Sequence, residues 1–578
     1  MLLGGNETTR KIDSFAINEL KIPSIVLMEN AAISFVKHID ENENNFLIIC
    51  GKGNNGGDGY AIARQLFSKN KNVKIFCISN ENMSHDCFVN YEICKNMGIE
   101  IFYKIEELDN LLLECDVVVE GIFGTGLNSE IKGIYREIIE KINTASNNKA
   151  IYSIDIPSGI NGDTGEIMGI SVKADITISF VTYKKGFLKS DIKNYLGKVV
   201  IENIGLNENK ISHIVNDYYL TPEMIKKFYI ERNDNSHKGD FGKVLIFAGS
   251  SGFYGAGNIV AKSCVRSGAG LTTVITDKNN FSLNVFVPEA MSFPVNFENI
   301  EENFEKLENE ILNSDVIAIG PGIGKSYKAL KIFEKLISYE KNYKGNNIKL
   351  VLDADALNLL SENRELFDKI KNRSVLTPHV VEFSRLTGFS PEEINKNKFE
   401  IAKEFSQRYG ITLLLKGKNT IITNGEKIFV NSTGNSHMAN GGMGDCLTGI
   451  ICSLVGQKYD LLESAVIGAY LHGKIADELV KNQYIINASH IIENITRVFD
   501  REVAVAHEWG MDSLCRHPKE LKTLMCPNPN HIEESVLYVA TEYIPCHKLC
   551  RRHIFERSLG EYLPCHLSLS KLVEEAIL

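Results

Sequence analysis

Phe46-Leu47-Ile48-Ile49-Cys50-Gly51-Lys52-Gly53-Asn54-Asn55-Gly56-Gly57-Asp58-Gly59 decides how the first half of the chain reads. A short apolar run ending in glycine has the look of a strand buried on both faces of a parallel sheet. The glycines that follow let the backbone turn tightly and approach a ligand closely. An Ala/Ile/Leu helix from Tyr60 to Phe67 comes next. Strand, glycine loop, helix is a nucleotide-binding layout, although a lone loop of this kind is as often a plain turn. Upstream, residues 12–40 read as helix, broken at Ile22-Pro23-Ser24, with a second segment from about Ser24 to Ile39. Downstream, strands are expected at Val73 to Ile78, Val117 to Glu120, Ala150 to Asp155, Ile176 to Phe180 and Lys198 to Ile204. The alternation with helical patterns argues for a doubly wound α/β domain.

Two further loops stand at strand ends: Gly121-Ile122-Phe123-Gly124-Thr125-Gly126-Leu127-Asn128 and Asp155-Ile156-Pro157-Ser158-Gly159-Ile160-Asn161-Gly162. In such a sheet the carboxyl ends of the strands converge on one crevice, so three loops are expected to meet at one site. Asp155 suits a general acid or base there, and Asn55, Glu120 and Ser158 offer oxygen atoms to a hard cation. The plain alternatives are a capping carboxylate for Asp155 and a solvated strand end for Glu120.

A charge-rich connection, 207–236, has no sustained apolar strand and a short helix after Thr221-Pro222-Glu223. A second α/β unit begins at Gly242-Lys243-Val244-Leu245-Ile246-Phe247, with later strands at Leu271 to Ile275, Val316 to Ile319, Lys349 to Leu352, Ser374 to Leu376, Thr412 to Leu415 and Thr420 to Thr423. Its last helix is expected over Ala465 to Leu479. The chemistry centres on His437-Met438-Ala439-Asn440-Gly441-Gly442-Met443-Gly444-Asp445-Cys446-Leu447-Thr448-Gly449, a glycine turn running into an apolar helix. Close amides and the positive end of the helix suit phosphate. A carboxylate beside phosphate is a poor binder but a good base for a hydroxyl attacking it, which is the role expected of Asp445. His379, after Leu376-Thr377-Pro378, could orient a polar substrate or simply be structural. Lys416-Gly417-Lys418-Asn419-Thr420 supplies a cation and free amides, or is an ordinary hairpin turn.

The chain has 578 residues, 44% of them hydrophobic, and a net charge of −10, which leaves room for more than one packed core and gives no electrostatic footprint for nucleic acid. No segment stays apolar long enough to span a bilayer, and cysteines such as Cys50, Cys77 and Cys115 sit in apolar runs as reduced thiols do. A cytoplasmic protein is expected. Composition changes after about Asp500. The tail to Leu578 carries Trp509 and five cysteines, of which Cys526, Cys546 and Cys550, with His531 and His553, are possible zinc ligands, but their spacing fits no standard finger and an unstructured or vestigial extension is the favoured reading.

The N-terminal motifs Gly-Asn-Asn-Gly-Gly-Asp-Gly, Ile-Phe-Gly-Thr-Gly-Leu and Ser-Ile-Asp-Ile-Pro-Ser-Gly, in this order, resemble the YjeF N-terminal family of NAD(P)H-hydrate epimerases from about Lys11 to Leu206. The resemblance implies a Rossmann-like domain in which Asn54, Asn55, Gly56, Gly57 and Asp58, the loop Gly124, Thr125, Gly126, Leu127, Asn128, Ser129 and Glu130, and Asp155 bind the hydrated dinucleotide. It also implies K+ on Asn55, Glu120 and Ser158. Glu120 stands where the family has aspartate, and either Lys184 or Lys185 corresponds to its late lysine. From about His237 to Ile495, His-Lys-Gly-Asp-Phe-Gly, Ala-Gly-Ser, Arg-Ser-Gly-Ala-Gly-Leu, Gly-Pro-Gly-Ile-Gly, Asp-Ala-Asp-Ala-Leu, Leu-Thr-Pro-His, Lys-Gly and Gly-Gly-Met-Gly-Asp resemble the ADP/ATP-dependent NAD(P)H-hydrate dehydratases, a ribokinase-like branch. Ala256, Gly322, His379 and Asp445 are then expected on the hydrate, and Lys416, Gly417, Lys418, Asn419, Thr420 and Gly444 on ADP or ATP with Mg2+. Val380-Val381 replaces a usual Pro-Gly pair, and Met443 a smaller residue.

The domains implied are 1–206 (epimerase), 207–236 (linker), 237–499 (dehydratase) and an unassigned tail, 500–578. The implied activity is bifunctional repair of hydrated NADH and NADPH by a homo-oligomer without nucleic-acid or membrane partners. The competing readings are a small-molecule kinase of the ribokinase-like group and a nonenzymatic binding protein.

Overall fold

The computed structural model describes residues 1–146, 149–296 and 301–498. The tail and its candidate zinc ligands lie outside the described residues.

The first half is built on β1 (Leu3–Gly4), β2 (Asn45–Cys50), β3 (Asn72–Cys77), β4 (Glu100–Phe102), β5 (Val117–Gly121), β6 (Ala150–Ile154), β7 (Ile176–Phe180), β8 (Tyr183–Lys184) and β9 (Lys198–Glu202). Seven of these form a parallel sheet in the order β4-β3-β2-β5-β6-β7-β9. The chain leaves β2 in one direction and resumes from β5 in the other, so the switch point lies between them, where the glycine loops were expected to meet. β2 and β5 are buried nearly throughout, as apolar runs covered by helices on both faces must be.

The second half carries β10 (Asp217–Tyr219), β11 (Lys243–Phe247), β12 (Leu271–Asp277), β13 (Met291–Val295), β14 (Val316–Ile319), β15 (Lys349–Leu352), β16 (Ser374–Leu376), β17 (Thr412–Leu415), β18 (Ile421–Thr423) and β19 (Ile428–Val430). They make one sheet, β10-β19-β18-β17-β16-β15-β14-β11-β12-β13, parallel except for the antiparallel β17-β18-β19 run. Its switch point is between β11 and β14. The helix Met443–Gly456 is apolar all round and accordingly central. Met443, which had no sequence rationale, is a core residue of the cluster that includes Cys446, Ile450 and Ile486.

The segment 207–236 is a correction. Asp217–Tyr219 is the edge strand of the second sheet, paired with Ile428–Val430, so the expected linker is part of the second fold. The N-terminal half grips the same strand. Leu2 bridges to Tyr218, Tyr183 stacks on Tyr219 with ring centroids 4.6 Å apart, and Lys185 pairs with Asp217 at 2.7 Å. Leu3 and Leu188 lie in the core cluster of the second half.

The first helix runs Asn6–Asn18 and the second Ser24–Val36, divided where Pro23 predicted. The first is fixed at its start from two sides. β1 pairs in parallel with β8, Gly4 opposite Lys184, and the Asp163 carboxylate accepts the Asn6 N–H at 2.9 Å. Asp163→Ala is expected to lower stability by about 1 kcal/mol, the usual worth of a helix N-terminal acceptor, measured as a shift in the urea midpoint of the N-terminal fluorescence or exchange signal.

Candidate active sites at the two switch points

At the first switch point the loops close on one another through their glycines. A Cβ on Gly51 would strike the Ile122 carbonyl, and one on Gly121 the Asn55 carbonyl. Beside them lies a cavity of about 740 Å³ lined by Asn54, Asn55, Asp58, Gly124, Thr125, Gly126, Leu127, Asn128, Ser129 and Asp155. These residues, singled out from the sequence, line one cavity. Gly56 and Gly57 are outside the lining because they serve packing, against Gly51 and Met28 respectively. Glu130 is also outside it and pairs with Lys132 at 3.2 Å.

Glu120 is not a solvated strand end: it is wholly buried. Its carboxylate accepts from the Ser153 hydroxyl (2.6 Å), the Ser158 hydroxyl (2.5 Å) and the amides of Ser158 (2.9 Å) and Ile122 (3.4 Å). Burial outweighs these donors and pushes its carboxyl up to about 7. The Ser158 hydroxyl also accepts from the Phe123 amide at 2.8 Å, and the buried Asn55 amide nitrogen has no partner among the described residues. Glu120 and Ser158 thus form an oxygen-rich pair, and among the described residues the buried acid has no basic partner.

Asp155 holds a positive φ of 63°, strained for a non-glycine residue, and this turns its carboxylate back on the sheet. It accepts from the Ser179 hydroxyl (3.0 Å) and the Phe180 amide (3.1 Å) and pairs with Lys184 at 2.9 Å. Lys184 is fully buried, whereas Lys185 points to Asp217, which resolves which of the two belongs to the crevice. Asp13, which sequence reasoning missed, lines the same cavity. Burial, then the Asp155 charge, push its carboxyl up to about 6, opposed by Lys184. Asp58 is driven well above the usual carboxylate range by burial, with Asp155 and Asp13 adding to it.

At the second switch point the Gly249 amide donates to the Pro321 carbonyl at 2.7 Å, joining the loops after β11 and β14. Gly322, at a φ of 65°, lies against Ala256, so these two predicted residues meet. Asp445 stands in the first turn of Met443–Gly456, behind Gly442 at a φ of 85°. The missed residue here is Asp353 at the end of β15. It is buried and accepts from Lys416 Nζ at 2.7 Å and Thr448 Oγ1 at 2.9 Å. Burial alone would raise its carboxyl, but Lys416 and Thr448 hold it below the usual range. Asp445 lacks such donors, and burial, then the Asp353 charge, push it up to about 6. Gly444 lies beside the pair: a Cβ there would stand 3.4 Å from both Asp353 Oδ2 and Lys416 Nζ.

His379 caps the helix Val380–Thr387, its Nδ1 accepting from the amides of Val381 (3.1 Å) and Glu382 (3.3 Å). Accepting at Nδ1 puts the ring proton on Nε2, which lies 3.5 Å from Glu382 and leaves a half-exposed donor beside Lys416. In the hairpin 416–420 the side chains of Lys418 and Asn419 face the N-terminal half, donating to the Ser190 hydroxyl (2.9 Å) and the Leu188 carbonyl (2.7 Å). Backbone, not these side chains, is what the hairpin offers a ligand.

The two crevices define a two-domain α/β enzyme, a Rossmann-like half followed by a ribokinase-like half. Residues 24–186 match the family described as YjeF-related protein N-terminus, and residues 244–497 that described as NAD(P)H-hydrate dehydratase. The chain is 32% identical over 496 residues to the bifunctional NAD(P)H-hydrate repair enzyme Nnr of Moorella thermoacetica, covering 82% of this chain and 91% of that protein. It is 32% identical over 456 residues to Nnr of Escherichia coli K12, covering 78% and 83%. A solved ADP/ATP-dependent NAD(P)H-hydrate dehydratase from Bacillus subtilis is 26% identical, with a TM-score of 0.42, over 49% of this chain and 98% of that one. The chain belongs to the family of bifunctional NAD(P)H-hydrate repair enzymes, which sets aside the kinase and nonenzymatic readings. Among the described residues no helix is long and apolar enough to cross a membrane, and the eight cysteines there are free and buried.

Because Asp353 is buried, removing its cation leaves an unpaired charge. Lys416→Met is expected to cost about 3 kcal/mol or more in a chemical-denaturation midpoint, and Lys416→Arg markedly less.

Proposed function

We propose that the N-terminal crevice interconverts the R and S hydrates of NADH and NADPH at C6 and that the C-terminal crevice dehydrates the S hydrate to NAD(P)H with ADP or ATP. The observation that carries this reading is Asp445. It is a carboxyl lifted to about 6, at the start of a helix whose amides and positive end suit phosphate, beside a lysine already neutralised by Asp353. Such a group is ionised at neutral pH and still basic enough to take a proton.

In this reading Asp445 removes the proton of the C6 hydroxyl. His379, donating through Nε2, orients the hydrate, Ala256 and Gly322 let it approach closely, and Gly444 and the hairpin amides hold the nucleotide. When bound, the nucleotide with Mg2+ would supply the phosphoryl group that makes the C6 oxygen a leaving group. Phosphate would depart as the ring nitrogen's lone pair forms N1=C6, and loss of the C5 proton to water would restore the C5=C6 double bond. In the first crevice Asp155, fixed by Lys184, is the acid–base group, and the loops at Asn54 to Asp58 and Gly124 to Ser129 hold the dinucleotide. K+ fits the Asn55, Glu120 and Ser158 oxygens and would neutralise the buried glutamate.

Incubation with S-hydrate and ADP or ATP should restore the reduced-nicotinamide absorbance; no recovery sinks the dehydratase assignment. Asp445→Asn should lower this turnover about 10²-fold or more while nucleotide binding persists. Wild-type turnover should rise as pH passes through about 6, because the base works only when ionised. Glu120 tests K+ separately. Its folded carboxyl lies above the unfolded value, so without a cation the first domain loses stability as pH rises from about 4.5 towards 7. KCl should therefore raise the melting temperature more at pH 8 than at pH 5, and this difference should vanish in Glu120→Gln.

A further inference from the structure

Epimerisation moves a hydroxyl from one face of C6 to the other, so proton transfers are needed on both faces, and Asp155 alone serves one of them. The helix Asn6–Asn18 carries the missing group. It is anchored where the chemistry is: β1 at its start pairs with the strand bearing Lys184, and its first amide is held by Asp163, in the loop that begins at Asp155. From there Ile12 and Ala16 enter the core, and Asp13, between them on the inner side, lines the cavity with Asp58 and Asp155.

We propose that Asp13 is a second catalytic carboxyl of the epimerase centre, working with Asp155 as an acid–base pair on the C6 carbon. The inference rests on the epimerase reading above. The ring nitrogen's lone pair forms the N1=C6 bond as C6–O breaks, and the departing oxygen takes the Asp13 proton and leaves as water. Water then adds to C6 from the opposite face, the π electrons return to N1, and the Asp155 carboxylate takes the released proton. Nothing is oxidised or reduced. One proton has passed from one carboxyl to the other, and exchange with solvent or the reverse turnover resets the pair.

The surroundings separate the two carboxyls as this requires. Asp155 has the Lys184 ammonium at 2.9 Å, whereas burial and the Asp155 charge favour the protonated form of Asp13. The other charged groups on the cavity are Arg10, Lys52, Asp58 and Asp86, with the phenol of Tyr135. Burial, with the Asp155 and Asp13 charges, raises the Asp58 carboxyl as well.

The test follows conversion of purified S hydrate to R hydrate by chromatography, from pH 5 to 8, after subtraction of the uncatalysed rate. Asp13→Asn should lower kcat/KM about 10²-fold or more and abolish the alkaline limb that begins near pH 6 in the wild type. Asp13→Glu should recover part of both. Nucleotide-dependent dehydration by the same Asp13→Asn molecules should be unchanged, which separates a catalytic loss from misfolding. If wild type epimerises and Asp13→Asn keeps its rate, or loses rate but keeps the alkaline limb, Asp13 is not the acid and the proposal fails while the epimerase reading stands. If wild type does not exceed the uncatalysed rate, both fall.

Discussion

A fully buried lysine is costly unless its charge is met, and much of the first half is arranged around meeting that of Lys184. The Asp155 carboxylate reaches it only because Asp155 adopts a backbone conformation that disfavours a side chain. The Phe180 carbonyl accepts a second bond from the ammonium at 3.2 Å. Strand β8, which carries the lysine, is held by β1 on one side, and the next residue reaches the second sheet through Asp217. One ion pair therefore sets the position of the strand end, the first helix and the seam with the second half.

The second half solves the same problem differently. Lys416, after β17, reaches across the end of β16 to the buried carboxylate after β15, and this pairing leaves Asp445 nearby without a cation of its own. Two aspartates at one strand-end crevice are pushed in opposite directions, one to hold charge and the other to take up a proton. Such separation is how a site assigns roles to chemically identical groups.

The architecture was largely legible because buried parallel strands are apolar runs that end in glycine, as at Cys50-Gly51 and Ile319-Gly320. What escaped were elements stabilised by distant partners. Asp217–Tyr219 has one acid and two tyrosines and becomes a strand only because β19 leaves an edge for it. Met291–Val295 carries a proline and mostly exposed side chains, as an edge strand tolerates. The glycine loops disclosed where both sites are, but not their electrostatics. Asp13 sits in an unremarkable helix, and Asp353 shows its importance only beside Lys416, 63 residues away. His379 showed a histidine but not that one ring nitrogen is spent on a helix cap.

The contacts of Leu3, Tyr183, Lys185, Leu188 and Ser190 with the second half make the junction a packed surface, not a tether. The two crevices therefore sit on halves that share buried side chains. A junction of this kind favours transfer of a hydrate by diffusion from one crevice to the other, so the gain from joining the activities in one chain is equal dosage and local concentration.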